Sequence, residues 1–192
     1  VGALSDLKSK GLSLVYVGCE SGSDAVLAAV QKGETFESSL NALKKLKDAK
    51  IKRSVMILIG LGGKKYSSEH AIRSAALCSE SKPEFLSLLT TSFPRGKGRV
   101  EDGYRSIQEN DDGTYPLFQE LSTEEHLEEM KVFLESLSIP RESRTIFRSD
   151  HASNYLILKG ILGRDKQRLL AELQNVLNGD ESKLRPDWLR GL

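Results

Sequence analysis

The sequence predicts an α/β fold with a parallel sheet, followed by a mostly helical C-terminal region. Three short apolar segments, at 13–17, 54–59 and 85–89, predict buried strands. They are rich in β-branched or large apolar residues and lack polar alternation, which is typical of parallel strands covered on both faces. Helical patterns separate these segments, so the order is strand, helix, strand, helix, strand. That order predicts parallel pairing through right-handed crossovers.

Capping residues and apolar spacing place the helices between the strands. Ser23 caps a predicted helix over 25–31, and Thr35 opens a second helix in which large apolar residues recur every three or four positions. A third helix is predicted to begin at Ser67 and to stop before Pro83, because the residue before a proline disfavours the helical conformation. These helices supply the crossovers that a parallel sheet requires.

The composition changes after the third predicted strand. Residues 94–113 contain four glycines and many charges, and they predict a long loop. The pattern Ser-Thr-Glu-Glu at 122–125 is a capping box that opens an amphipathic helix. A short strand at 145–148 and a final amphipathic helix over 165–178 complete the prediction.

The chain is therefore divided into a strand-and-helix part at 1–95, a long charged loop at 96–120 and a helical extension at 121–192. Lys and Arg total 28 and Asp and Glu total 27, which gives a formal net charge of +1. This balance argues against a dedicated nucleic-acid-binding protein. No apolar run is long enough for a membrane span and no secretory signal is visible, so we expect a cytoplasmic protein.

The two cysteines, Cys19 and Cys78, limit the possible chemistry. A disulfide scaffold is excluded by their number, and so is an all-cysteine zinc or iron–sulfur site built within this chain alone. We expect both to be small buried apolar residues in a reducing compartment. The sequence assigns no metal ligand and no catalytic residue.

The three histidines show no metal-ligand spacing with one another or with the cysteines. His70 and His126 each fall in the first turn of a predicted helix, where we expect them to be solvated. His151 lies in an unusually polar segment at 148–155. This segment is interpreted either as a satisfied hydrogen-bond network or as part of a substrate pocket.

Small and polar residues follow each predicted strand, where ligands bind in parallel α/β sheets. The first strand leads into Gly-Cys-Glu-Ser-Gly-Ser-Asp at 18–24, in which Glu20 follows the buried strand and is expected to have a partner. Gly-Leu-Gly-Gly at 60–63 allows close approach of a phosphate or nucleoside, although it fits neither common phosphate-loop motif. Hydroxyl groups follow the third strand at 90–92. Tight turns and helix caps explain the same residues without any ligand.

Four segments carry a resemblance to a known family. VYVGCESGSDAVL at 15–27 and QKGET at 31–35 closely resemble the fourth strand and following helix of radical SAM enzymes. MILIGLGG at 56–63 resembles their fifth-strand motif, and LSLLT at 86–90 lies where their sixth strand belongs. Within that superfamily the sequence is similar to Fe–S oxidoreductases related to oxygen-independent coproporphyrinogen oxidase, and to methylthiotransferase and Elp-type enzymes.

The resemblance implies half of a partial (β/α)6 TIM-like barrel, with about three parallel βα units and S-adenosylmethionine across the strand ends. It implies that Glu20 contacts the methionine or ribose part of the ligand, with Ser21 as its neighbour. It further implies that Lys32 pairs with the methionine carboxylate and that backbone at Ile59 and Gly60 faces the adenine.

The three-cysteine motif that holds the [4Fe–4S] cluster in this family is not found in the sequence, and Cys19 and Cys78 cannot replace it by spacing. We therefore interpret the chain as the C-terminal part of an oxidoreductase that cleaves S-adenosylmethionine to a 5′-deoxyadenosyl radical. The chain alone is expected to be inactive without the N-terminal, cluster-binding half of the barrel. Without that half, the edge of the strand at 13–17 is unpaired, and we expect self-association.

Two alternatives come from other functional classes. The strand-end loops are also suited to a non-catalytic module that binds a nucleoside or a phosphate. A structural half-barrel that docks other subunits is the third hypothesis, and the long segment at 94–113 is its best support.

Overall fold

The structure is a computed structural model that describes residues 2–93, 97–107 and 117–190. The described residues contain one five-stranded sheet in which spatial order follows chain order. Neighbouring strands are parallel from the first to the fourth, and the fifth is antiparallel to the fourth. The strands are β1 (Leu14–Glu20), β2 (Lys52–Ile59), β3 (Phe85–Thr90), β4 (Ile146–Arg148) and β5 (Lys159–Ile161).

Seven α-helices accompany these strands in the part of the chain that is described. They are α1 (Gly2–Ser9), α2 (Asp24–Ala29), α3 (Phe36–Asp48), α4 (Gly63–Ser81), α5 (Lys97–Ile107), α6 (Thr123–Ser136) and α7 (Leu162–Leu177). In that part of the chain, none of the helices combines the length and the apolar character that a membrane crossing demands.

The predicted parallel βαβαβ arrangement is confirmed for β1, α3, β2, α4 and β3. Side-chain caps fix the helix starts that the sequence indicated. The Ser23 hydroxyl accepts a hydrogen bond from the backbone of Val26, and Thr35 and Ser122 each form a capping box. The short strand expected at 145–148 is present as β4, whereas β5 is too short and too glycine-containing to produce a periodic signal.

Helix α4 begins at Gly63, four residues before the predicted start at Ser67. No side chain caps this end, and the backbone carbonyl of Gln119 accepts a hydrogen bond from the Lys64 amide at 2.9 Å instead. A partner from a distant segment satisfies an amide that would otherwise be free. The local sequence does not indicate this cap, and for that reason the predicted start of α4 is later than the observed start.

The two faces of the sheet differ in burial. The face toward α3, α4, α6 and α7 carries fully buried residues such as Val55, Leu88 and Phe147, which form the main core. We call the opposite side the inner face; it carries side chains such as Tyr16, which is 72% exposed. In the described part of the chain, helices thus cover one side of the sheet and the inner face is more exposed, which agrees with the predicted α/β fold and with the partial TIM-like arrangement that the resemblance implies.

A buried arginine closes the edge of the sheet where the parallel strands begin. Arg53 is fully buried, and its guanidinium donates to both carboxylate oxygens of Glu84, at 2.8 and 3.1 Å. It also donates to the backbone carbonyls of Ser81 and Lys82, each at 2.9 Å. A guanidinium can be buried here because its donors find acceptors, two of them at the C-terminal end of α4.

The sequence predicted a loop over 94–113, and the domain division placed a loop at 96–120. This prediction is wrong for residues 97–107. These residues form α5, while 94–96 and 108–116 lie outside the described residues. The glycines that suggested a loop are compatible with this helix because Gly103 packs directly on the backbone of Ala29 in α2. Tyr104 is buried beside it, and its hydroxyl donates to the Leu61 carbonyl at 2.6 Å. Tertiary packing therefore outweighs low helix propensity.

The contact of Gly103 with Ala29 gives a test of this packing. A methyl group at position 103 would collide with the Ala29 carbonyl oxygen, which is backbone and cannot rotate away. We expect Gly103→Ala to lower the free energy of unfolding by about 1–3 kcal/mol in urea titrations. Gly98→Ala on the same helix meets no atom within 4 Å, and it should be neutral or stabilising by up to about 1 kcal/mol. Equal stability of both variants would contradict the packing of α5 on α2.

Candidate functional site

The first three strands are parallel, so their carboxyl ends lie together at one end of the sheet. Glu20 is the last residue of β1. The register shifts between Gly18 and Glu20, and Glu20 adopts a left-handed conformation with φ of 64°. As a result its carboxylate folds back over Gly18, in space that any larger residue at 18 would occupy. An irregularity of this type re-aims a side chain, and a strained non-glycine residue is typical of functional sites.

Glu20 and Lys32, two of the predicted site residues, lie together. Lys32 Nζ is 3.2 Å from Glu20 Oε1, and the side chains are 33% and 23% exposed respectively. The expectation that Glu20 has a partner is confirmed. A carboxylate beside an ammonium group, both still accessible, offers complementary charges to a zwitterionic ligand.

Ser21 lies beneath this edge, and its side chain is fully buried. Its hydroxyl oxygen is 2.8 Å from Nδ1 of His70 and accepts a hydrogen bond from the Ser23 amide at 2.9 Å. The polar group of Ser21 is thus engaged inside the protein. The side chains of Glu20 and Ser21, adjacent in sequence, have different environments.

His70 is fully buried, and its expected solvation is wrong. Because α4 starts at Gly63, His70 falls in the second turn of the helix and contacts the end of β2. Its Nε2 lies 2.9 Å from the Leu58 carbonyl, to which it donates, so Nδ1 accepts from the Ser21 hydroxyl. Burial lowers the pKa of His70 to about 4, which keeps the imidazole neutral at physiological pH.

The backbone groups at Ile59 and Gly60 also have partners within the chain. The Ile59 carbonyl accepts hydrogen bonds from the amide and the hydroxyl of Thr91, each at 2.9 Å. The Gly60 amide donates to Glu129 Oε1 at 2.7 Å. Gly60 has φ of 87°, and a side chain there would collide with His126. The glycine is therefore needed both for the turn and for the approach of α6.

Glu129 on α6 is the functional candidate that the sequence reasoning missed. Its carboxylate is completely buried and accepts from the Gly60 amide and the Ser67 hydroxyl, while His70 Nε2 lies 3.6 Å away. Burial raises the pKa of Glu129 to about 7, against the opposing effect of those two donors. The sequence did contain a signal for the burial of Glu129. Its helical spacing relative to Met130 and Phe133 places it on the buried face of α6.

His126 was also expected to be solvated, and this is wrong because it is only 7% exposed. Its Nδ1 donates to the Ser122 carbonyl at 2.8 Å, which leaves Nε2 facing Gly60. Its ring contacts that of Tyr155 at a centroid distance of 5.7 Å, and the guanidinium of Arg190 lies 3.5 Å from the centre of the same tyrosine. The C-terminal segment thereby reaches the same edge of the sheet.

The segment at 148–155 forms a hydrogen-bond network next to β3. Asn154 is fully buried; it accepts from the Thr90 hydroxyl at 2.9 Å and donates to the Leu88 carbonyl at 2.8 Å. His151 Nδ1 lies 2.9 Å from the Ser153 hydroxyl. The interpretation as a satisfied network is confirmed for these residues.

Both cysteines are buried and unpaired, as expected. Burial, and secondarily the charge of Glu20, raises the pKa of Cys19 to about 12, and burial raises that of Cys78 well above its ordinary value. Protonated buried thiols are poor metal ligands. Within the described ranges no three His, Cys, Asp or Glu side chains lie close enough together to hold a metal ion.

Comparison with known protein families gives a match for the N-terminal part of the chain. Residues 2–75 match the family model of the radical SAM superfamily. This segment includes β1, α2, α3 and β2 and ends within α4, so it contains both Glu20 and Lys32. The match supports radical SAM membership for this part of the chain. No curated protein matches the sequence.

The buried carboxylate of Glu129 predicts a specific pH dependence. Its pKa is about 7 in the folded chain against an ordinary value of 4.5, so between these values the folded state retains a proton that the unfolded chain has released. The contribution of Glu129 to stability therefore falls as the pH rises. Glu129→Gln keeps the shape and lacks the titration. We expect the difference in free energy of unfolding, variant minus wild type, to rise by up to about 3 kcal/mol over this window.

The measurement is urea unfolding of both proteins at several pH values. The effect of His70 has the opposite sign, because its folded pKa is lowered and its contribution rises with pH between about 4 and 6.5. His70 is present in both proteins, and the subtraction removes its effect when the His70 pKa is the same in the variant and the wild type. A difference that does not change with pH would contradict the raised pKa of Glu129.

Proposed function

We propose that this chain forms the S-adenosylmethionine-binding half of a radical SAM Fe–S oxidoreductase. The observation that carries the proposal is the Glu20–Lys32 pair, which lies at the carboxyl end of β1 within the segment that matches the superfamily. Lys32 would pair with the methionine carboxylate. Glu20 would accept hydrogen bonds from the methionine ammonium group or the ribose hydroxyls.

The other predicted ligand-side residues have a supporting role in this proposal. The polar groups of Ser21, Ile59 and Gly60 are engaged within the chain, so they shape the edge of the sheet. The adenine would pack against the turn at Gly60, which His70 and Glu129 hold from below. Rigid support of this kind keeps a binding site in its productive geometry.

The residues of this chain do not fit a [4Fe–4S] cluster, because that cluster needs at least three cysteine thiolates and this chain has two cysteines, both buried and protonated. We therefore propose that a separate segment with a CxxxCxxC motif would hold the cluster, and that an external reductant would supply the electron that cleavage of S-adenosylmethionine requires. The separate segment would cover the inner face and the edge of β1 that is not paired with another strand of the described residues. Without this segment the chain should be inactive.

Ligand titration of the chain tests the Glu20–Lys32 site separately from the reaction. Glu20→Gln and Lys32→Gln should each weaken S-adenosylmethionine binding about tenfold in isothermal calorimetry, since each removes a hydrogen bond to a charged group. Glu37→Gln, an exposed carboxylate on α3, is the matched control and should bind like wild type. ATP binding as tight as that of S-adenosylmethionine, insensitive to Glu20→Gln, would favour the non-catalytic module instead.

The reaction itself is tested on the enzyme completed with the cluster-binding segment. After anaerobic reconstitution with iron and sulfide, it should form 5′-deoxyadenosine from S-adenosylmethionine under reduction. The present chain alone should form none. Complete absence of 5′-deoxyadenosine from the reconstituted enzyme would exclude the proposed chemistry.

One edge of β1 pairs with no other described strand, and it predicts self-association of the chain. β1 has β2 as its strand neighbour on one side, and Tyr16 projects exposed from it. We expect concentration-dependent dimers or larger species in sedimentation velocity, because unpaired strand edges pair with another chain. Tyr16→Lys should shift the distribution toward monomer, whereas Ile72→Lys, at an exposed apolar position on α4, should not. A single monomeric species at every concentration would rule this out.

A further inference from the structure

The strand register aligns side chains of the inner face in rows that cross the whole sheet. Residues paired in register on neighbouring strands project from the same face. One row is continuous over all five strands and consists of Gly18, Met56, Ser87, Arg148 and Lys159. Since the Glu20 carboxylate folds over Gly18, the row has an acidic group at one end and two basic groups at the other.

The basic end of this row carries more positive than negative charge. The side chains of Arg148 and Lys159 are 56% and 59% exposed. Asp150 lies between them, with its Oδ2 3.8 Å from the guanidinium and 3.2 Å from Nζ. One carboxylate thus serves two cations, and an excess positive charge remains accessible at the inner face.

A groove of about 360 Å³ leads along the inner face to this basic end. Apolar residues such as Phe85 and Ile146 and polar residues contribute about equally to its lining. Ser87 and Arg148 of the row just described belong to this lining, and Lys159 joins it through its ion pair with Asp150. Apolar walls with a few polar groups at defined positions suit a small molecule that carries a charged group.

We propose that Arg148 and Lys159 bind an anionic group of the substrate, a carboxylate or a phosphate, and that the rest of the substrate lies over Ser87 and Met56. The planar guanidinium can hold either anion through two hydrogen bonds. This inference rests on the proposed function for the opposite end, where S-adenosylmethionine binds at Glu20. Gly18 and Arg148 are separated by three interstrand spacings, which is about 14 Å measured across the strands. The charges at the two ends therefore keep the two ligands apart, with the reacting atoms between them.

Anion titration of the chain tests this site with defined probes. Inorganic phosphate and glutarate are titrated separately into the ¹⁵N-labelled chain at constant ionic strength, and amide shifts are followed by NMR. We expect saturable changes centred on 87, 148–150 and 159. The double variant Arg148→Gln/Lys159→Gln should bind the preferred anion at least about tenfold more weakly. The preferred probe distinguishes a phosphorylated substrate from a carboxylic acid.

Two further variants separate specific binding from charge and folding effects. Lys44→Gln/Lys47→Gln on α3 removes the same net charge from exposed positions and should change the affinity by less than about twofold. Asp150→Asn removes the internal competitor and should tighten binding, an effect that partial unfolding cannot produce. Unchanged affinity in the Arg148→Gln/Lys159→Gln variant, or shifts spread over all basic surfaces, would overturn the proposal.

The same samples distinguish failure of this inference from failure of the proposed function. Anion binding at Arg148 and Lys159 without any binding of S-adenosylmethionine would overturn the proposed function and leave an anion site on the inner face. Binding of S-adenosylmethionine that depends on Glu20, with no anion binding at the other end of the row, would overturn only this inference.

Discussion

The geometry at the carboxyl end of the sheet depends on the buried carboxylate of Glu129. A carboxyl group without solvent contact needs donors, and here they come from the Gly60 amide at the end of β2 and the Ser67 hydroxyl on α4. These bonds fix where α6 lies and hold the turn open at a glycine. His70 packs beside the same carboxylate and joins the end of β2 to Ser21 after β1, through its hydrogen bonds with the Leu58 carbonyl and the Ser21 hydroxyl. One acidic residue on a late helix therefore stabilises the end of β2, which precedes it by many residues.

Local patterns predicted the parts of the fold that depend on local physics. The apolar strands and the caps at Ser23, Thr35 and Ser122 were found because each signal lies within a few residues. The start of α4 and the helix at 97–107 were missed because a distant carbonyl and a distant backbone surface stabilise them. Periodicity and propensity measured along the chain do not contain such contacts.

The candidate site was predictable in position and less so in detail. The rule that ligands bind at the carboxyl ends of parallel strands located Glu20 and Gly60 at one edge. It could not show that the Ser21 side chain is buried, because the irregular register after Gly18 breaks the alternation of side chains between the two faces of the sheet. Nor could it single out Glu129 among the glutamates of its helix, since partners on β2 and α4 are visible only in three dimensions.

The antiparallel direction of β5 limits how this sheet can be extended. A further parallel unit can be added beside β1, where the neighbouring strand runs in the same direction, but a three-residue antiparallel strand ends the other side. Within the described residues, the two edge strands of the sheet therefore differ in length and in direction relative to their neighbours. A parallel strand can extend the sheet at β1 with the same hydrogen-bond pattern that joins β1 to β2, whereas extension at β5 requires a different one.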